Sequence, residues 1–453
     1  MADIKAAADA LRGNFSGDVL VAADPAFDAC RRVHNGMIDR RPALIARCRG
    51  VGDVQAAVRL ARDHQLEIAV RGGGHNVAGN AVCEGGLMID LAGMRGVHVD
   101  PAARRARAQG GATWADYNRE TQLFGLASTG GVVSTTGVAG LTLGGGLGHL
   151  MGKHGMAVDC LRGATMVTAS GDVVRAGADE HPDLFWAIRG GGGNFGVAAW
   201  LDFEVAPVGP VVTGGLVAHP FAAARDVLRF YRDLTANLPD ELIAFGGLLH
   251  GPDGTRLAAI AVCHCGDLES GRAATDPVKR FGSPAMDAIG PMPYSVVNTL
   301  FDPGFPRGAL NYWKSNFLAA LTDQAIDGII AQFESCPSPM SALLLEHFHG
   351  AATRVAPTAT AFPHRSVGYN CLIISEWMDP AATDVNVKWA RDTYTAMSPH
   401  FASGRYANYL NADEVGQADA VSAAFGPNAA RLREVKRKYD PDNVFHLNQN
   451  IRP

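Results

Sequence analysis

No apolar run in this sequence approaches the roughly 20 residues that a helix needs to cross a bilayer, so a membrane span is not expected. Neither sign of charge dominates. Lys and Arg number 40 against 45 Asp and Glu, a formal net charge of -5. That balance offers no basic footprint for nucleic acid or for an anionic membrane surface. Cysteine is sparse: eight in 453 residues, at positions 30, 48, 83, 160, 263, 265, 336 and 371. Only Cys263 and Cys265 lie close together, inside an apolar strand-like run, and no second pair completes a zinc site. No metal is therefore expected, and the thiols read as core residues in a reducing cytoplasm. The opening stretch MADIKAAADALRGNF carries acids early and reads as an amphipathic helix, not as a signal peptide. Internal repeats and low-complexity segments are missing too.

What is abundant is glycine, 53 residues where an average chain of this length has about 32. These glycines come in bursts at 72–74, in TGG at 129–131, at 144–148 and at 190–193, between apolar segments. Glycine used this way marks backbone conformations or close approaches that a Cβ would forbid. Hydrophobic content of 47% and charged content of 19% otherwise describe an ordinary globular enzyme.

At this length two domains are the default. Helical and strand-like stretches alternate up to about residue 207, where APVGPVV (206–212) punctuates the chain and marks a boundary. Beyond it, AFGGLLHG, TRLAAIAVCHCGD, ALNYWKSNFLAAL, SALLLEHFHGAATRV and YNCLIISEW read as strands of a sizeable sheet. AAARDVLRFYRDL and TDQAIDGIIAQFES read as helices covering one of its faces. The mix predicts an α+β domain with a large antiparallel sheet. NAARLREVKRKYDPDN is a charged helix stopped by Pro441, and FHLNQNIRP runs out as an extended tail.

GGGGNFG contains a formal G-x-G-x-x-G at Gly191, Gly193 and Gly196. A dinucleotide fingerprint must follow a strand and open a helix. Here helical DLFWAIRG precedes and strand-like VAAWLDFEV follows, so that reading fails. GVAGLTLGGGLGHLMGKHG (137–155) reads as a glycine-laced loop whose amides cradle a large anionic cofactor; it lacks the Lys of a triphosphate loop.

RGGGHN (71–76) beside STTGVAGLTLGGGLGH resembles the two flavin-contacting segments of vanillyl-alcohol-oxidase-type flavoproteins, specifically the berberine-bridge-enzyme-like branch. HPDLFWAIRGGGGNFGV resembles the third cofactor segment. TAFPHR with YNCLIISEW is similar to the family's active-site strand, and RYANY with RLREVKRKYDPDNVFHLNQNI to its C-terminal signature. The resemblance implies a PCMH-type FAD-binding domain over 1–207, a substrate domain over 208–405, and a segment 406–453 that returns to the first domain. It implies FAD joined covalently to His75. Arg71, Gly72, Gly73, Gly74, Asn76, Val77 and Gly79 would then form the pyrophosphate loop. Val132, Val133, Ser134, Thr135, Thr136, Gly137, Gly140, Leu141, Gly145, Gly146, Gly148, His149 and Leu150 would run along the ring system and phosphates. Gly196 and Val197 would close over the far end, and Asn408 and Asn448 would reach flavin from the C-terminal segment. Where many relatives carry a cysteine that bonds flavin C6, this chain has Val133, so a single histidyl link is implied. Thr136 stands where the family gates oxygen, nearly isosteric with the valine of oxygen-reactive members.

Oxidation at a carbon bearing an alcohol or amine needs a hydride acceptor and a base. The resemblance offers Tyr406 and Tyr409 near the flavin, with Tyr369 and Asn370 on the active-site strand. A phenol becomes a base only beside a cation, for which Lys314 is the candidate. His347 and His349 read as structural. The implied activity is oxidation of a small sugar, alkaloid or natural product, with dioxygen as acceptor. A dehydrogenase or tailoring enzyme using another acceptor, and a redox-silent flavin carrier, remain as alternatives.

Overall fold

In the computed structural model, which describes residues 4–415 and 418–453, the amino-terminal half builds two sheets. The first runs in the order Asp18–Leu20, Leu44–Arg47, Leu87–Asp90, Ile68–Arg71, and its last three strands are parallel. The helix Val51–Asp63 makes the crossover and buries Val54, Ala57 and Val58 against Leu87 and Ile89. Covered on both faces, Leu87–Asp90 is buried throughout, as a central parallel strand must be. The second sheet is antiparallel, in the order Val97–Asp100, Arg105–Gln109, Val197–Glu204, Leu161–Val167, Val173–Gly177.

Beyond Pro207 an eight-stranded antiparallel sheet takes over. Its order is Met286–Asp287, Val211–Pro220, Arg256–His264, Leu242–His250, Ala342–Phe348, Gly368–Trp377, Leu310–Leu318, with Gly290–Pro293 also on Val211–Pro220. The fold is α+β, as the pattern of strands and helices predicts. Helices Ala224–Thr235 and Asp323–Glu334 cover one face as expected. Two further helices, Leu268–Arg280 and Thr383–Met397, went unassigned in the sequence. Pro277 inside the first, and β-branched and polar residues in the second, mask their periodicity. Asp267, whose carboxylate accepts from Ser270 N at 2.9 Å, is the capping signal that was legible. The run 137–155, read as loop, contains short helices at Val138–Leu143 and Met151–His154.

The chain end returns to the first half. Lys436 Nζ and the amides of Val444 and Phe445 all bond the buried Asp440 carboxylate, which turns the chain after the helix Ala429–Tyr439. Asn194 then holds the tail, donating to Gln449 O at 3.1 Å and accepting from Ile451 N at 2.9 Å. No helix among the described residues is long and apolar enough to cross a membrane.

One strand carries an uncompensated acid. Glu376 is 0% exposed, and neither carboxyl oxygen has a hydrogen-bond partner among the described residues. Burial pushes it up from 4.5 to about 8. A carboxyl raised in the fold binds its proton longer than in the unfolded chain, so stability falls as pH climbs from 4.5 through 8. Glu376→Gln should flatten that loss and, at pH 9, add on the order of 1–3 kcal/mol. Thermal unfolding from pH 5 to 9 reads this out; parallel curves for parent and variant would refute it.

Candidate active site

A long cleft with about 1920 Å³ of empty space, its solvent mouth included, runs between the glycine loops and the open face of the large sheet. Close loop crossing shapes one wall. A Cβ on Gly73 would sit 2.3 Å from Gly137 N, and one on Gly137 would sit 2.4 Å from Gly73 N. No other residue type allows these backbones to meet. Gly140 and Gly193 also line the cleft, and a Cβ on either would meet nothing within 4 Å. Their missing side chains leave room along the wall. Asn80 Nδ2 and Asn448 Oδ1 are buried, belong to cleft-lining residues, and lack partners among the described residues. A long, largely buried ligand with both donors and acceptors would satisfy them, and FAD has that character.

Of the residues assigned to the cofactor, Gly72, Gly73, Gly74, His75 and Asn76 line the cleft. So do Val132, Val133, Thr136, Gly137, Gly140 and Leu141, with Asn408 and Asn448 from the C-terminal segment. Others lie behind the wall. Arg71 makes a bidentate pair with buried Asp90, at 2.9 and 2.6 Å, and supports the loop from beneath. Val77 is core, and Gly79 (φ +76°) turns the chain against Ile38. Ser134 is held by Asp302, and Thr135 bonds His75 instead of lining the cleft. Gly145, Gly146 and Gly148 pack on Phe362, Ala157 and Gly130, while His149 lies between the rings of Phe245 and Phe301. Leu150 is core; Gly196 abuts Val167 O, and Val197 opens a buried strand. The cleft is thus lined by the first group, while the glycines of the second lie against protein. Missed were Gly192 and Gly193 of the fourth glycine run, and Gln449 beside Asn448.

Tyr409 and Asn370 meet on a residue the sequence did not single out, Glu346. It sits on Ala342–Phe348 at the middle of the large sheet, with Phe245 and Asn370 as cross-strand neighbours. Asn370 Nδ2 donates to Oε2 at 2.7 Å and Tyr409 Oη donates to Oε1 at 3.1 Å. Glu346 is 4% exposed and lines the cleft. Burial raises its carboxyl to about 7, against the pull of the two hydrogen bonds. Neutrality and ionisation are thus balanced near physiological pH, the setting of a general base.

The other catalytic candidates are corrected. Tyr369 points to the opposite face, where Thr235 Oγ1 meets its hydroxyl at 2.7 Å beneath the covering helix. Lys314 is buried between Asp413 and Glu414, at 2.9 and 3.2 Å, and does not line the cleft. Tyr406 is 1% exposed; its hydroxyl accepts from Gly146 N at 3.0 Å and from Asn408 Nδ2 at 2.9 Å. Burial raises both phenols, Tyr406 and Tyr409, and among the described residues no cation opposes it. Neither is set up as a base. His347 and His349 stack on each other at 5.1 Å, away from Glu346 on the alternate face.

A glycine-walled cleft facing an antiparallel sheet, with the buried carboxyl of Glu346 in its floor, fits a flavin-dependent oxidoreductase. The FAD binding domain family matches residues 42–177, and the berberine and berberine-like family matches 405–452. (R)-6-hydroxynicotine oxidase of Paenarthrobacter nicotinovorans is 34% identical over 451 residues, covering 97% of each chain. The crystal structure of 6-hydroxy-D-nicotine oxidase from Arthrobacter nicotinovorans superposes with a TM-score of 0.88 at 31% identity, over 97% of this chain and 98% of that one. A chitooligosaccharide oxidase shares the fold, with a TM-score of 0.84 at 24% identity over 99% of each. This chain belongs to the berberine-bridge-enzyme-like family of FAD-linked oxidoreductases.

Proposed function

We propose that the protein is an oxidase of a compact, largely apolar amine or alcohol, with FAD joined to His75 and dioxygen as the final acceptor. The observation that carries this is Glu346, a buried carboxyl held at about 7 on the cleft wall. FAD, when bound, supplies the hydride acceptor. Glu346 takes the N–H or O–H proton, while Tyr409 and Asn370 orient its carboxylate. Phe245, Phe301, Phe305 and Trp313 line the same cleft and exclude water, which strengthens that proton transfer. A sugar needs many polar partners, and this wall offers few. The cleft lining also includes no Lys or Arg among the described residues, which disfavours an anionic substrate. Similarity to a hydroxynicotine oxidase supports a cyclic amine. Thr136 on the cleft wall, nearly the volume of valine, supports oxygen access.

The test is anaerobic mixing with cyclic amines, apolar alcohols and oligosaccharides, followed by admission of oxygen. An amine or apolar alcohol should bleach the yellow protein, and oxygen should restore the colour with one hydrogen peroxide per turnover. Bleaching by oligosaccharides alone would overturn the substrate class. Recovery only with an added dye would make the protein a dehydrogenase.

A further inference from the structure

Three parts of the chain converge on the ring of His75. His34 stacks on it, with centroids 3.9 Å apart and planes 19° apart. Thr135 Oγ1 lies 2.9 Å from its Nε2. Its Nδ1 has no hydrogen-bond partner among the described residues, and the residue lines the cleft. His34 itself is 7% exposed, with Nε2 buried and without a hydrogen-bond partner among the described residues. An unpaired buried imidazole is a costly way to fill space, so its use lies in its face. The second half of the chain fixes both neighbours. Gly308 N bonds His34 O at 2.9 Å, and Arg307 bonds Arg32 O at 2.9 Å. Asp302 accepts from Ser134 N and Oγ, at 2.8 and 2.6 Å, next to Thr135.

We propose that His34 and Thr135 are positioning residues that present Nδ1 of His75 for covalent attachment to flavin, with segment 298–309 setting both in place. This rests on the reading of His75 as the flavin-linked residue. Burial, with His34 and then Arg307 adding to it, holds His75 at about 3, and burial with Arg307 holds His34 at about 4, so both rings are neutral at working pH. A neutral imidazole attacks through the nitrogen without hydrogen. With Thr135 accepting from Nε2–H, that nitrogen is Nδ1. Bond formation uses the Nδ1 lone pair. The Nε2 hydrogen leaves as one proton and a hydrogen of the flavin 8α-methyl as another. The two electrons left on flavin pass with those protons to dioxygen, giving hydrogen peroxide. Thr135 then turns from acceptor to donor, because Nε2 now carries the lone pair.

The experiment follows covalent attachment, not turnover. Full-length protein from riboflavin-limited cells is mixed with FAD in air, and flavin fluorescence is read in the denatured band. His34→Ala and Thr135→Val should slow attachment roughly tenfold or more, while quenching of FAD fluorescence shows that non-covalent binding persists. His34→Phe, which keeps a stacking ring, and Thr135→Ser, which keeps the acceptor, should stay near the parent rate. Thr135→Val preserves volume and keeps the test open if His34→Ala folds poorly. Parent-like attachment in His34→Ala or Thr135→Val would overturn the proposal, as would a Phe variant as slow as Ala. A parent chain with no covalent flavin would instead defeat the reading of His75 itself.

Discussion

Glu346→Gln should slow flavin reduction by substrate about 10²–10⁴-fold, the usual cost of removing a general base. Gln keeps the volume and can still accept from Asn370 through its one oxygen, while its NH2 can donate to the Tyr409 hydroxyl, so FAD should still bind and the protein should stay yellow. The pH dependence gives a second readout. Burial sets the Glu346 carboxyl at about 7. Below that the proton is already in place and the group cannot accept another, so the parent's reduction rate should fall as pH drops through 7. Glu346→Gln should lose that inflection. Tyr409→Phe removes a donor to the ionised form, so its inflection should move upward. Stopped-flow reduction under anaerobic conditions measures all three. Glu346→Gln within a few-fold of the parent would place the base elsewhere.

His75→Ala should free the flavin entirely on denaturation, whereas the parent should stay yellow in the acid precipitate. Val133, on the cleft wall where a cysteine would give a second link, should be indifferent: Val133→Ala should keep its flavin. An 8α-imidazole withdraws electron density from the ring and makes it a better hydride acceptor. The His75→Ala chain keeps its glycine loops, so it should still bind FAD, with a lowered reduction potential and a slower half-reaction. Mass spectrometry of a digest decides the matter. An FAD-sized adduct on the His75 peptide supports the link; an unmodified peptide from yellow, active protein sinks it.

The glycine bursts at 72–74 and 130–131 and the long alternating strands were legible because each is a local pattern, whereas the returning tail was implied only by the family resemblance. Glycine is demanded where two backbones touch, as at Gly73 and Gly137, and that demand is written directly into the chain. The run 144–148 looks the same in sequence yet packs on Phe362, Ala157 and Gly130. A missing Cβ says that something comes close, not whether protein or cofactor does.

The base was illegible for a different reason. In LLLEHFHG, Glu346 is one acid in an apolar strand, and nothing local distinguishes it from an edge residue facing water. Pairing with Phe245 on one side and Asn370 on the other makes the strand central and the acid dry. The same alternation sends Asn370 to the face of Glu346 and its neighbour Tyr369 under the helix layer. By itself the sequence determined two halves, glycine loops at the cofactor cleft and a large antiparallel sheet, since these follow from spacing and backbone sterics. Which face of each strand meets the cleft was decided only by tertiary structure. Side-chain parity depends on register and on the layer that covers each face, and both are set by residues distant in the chain.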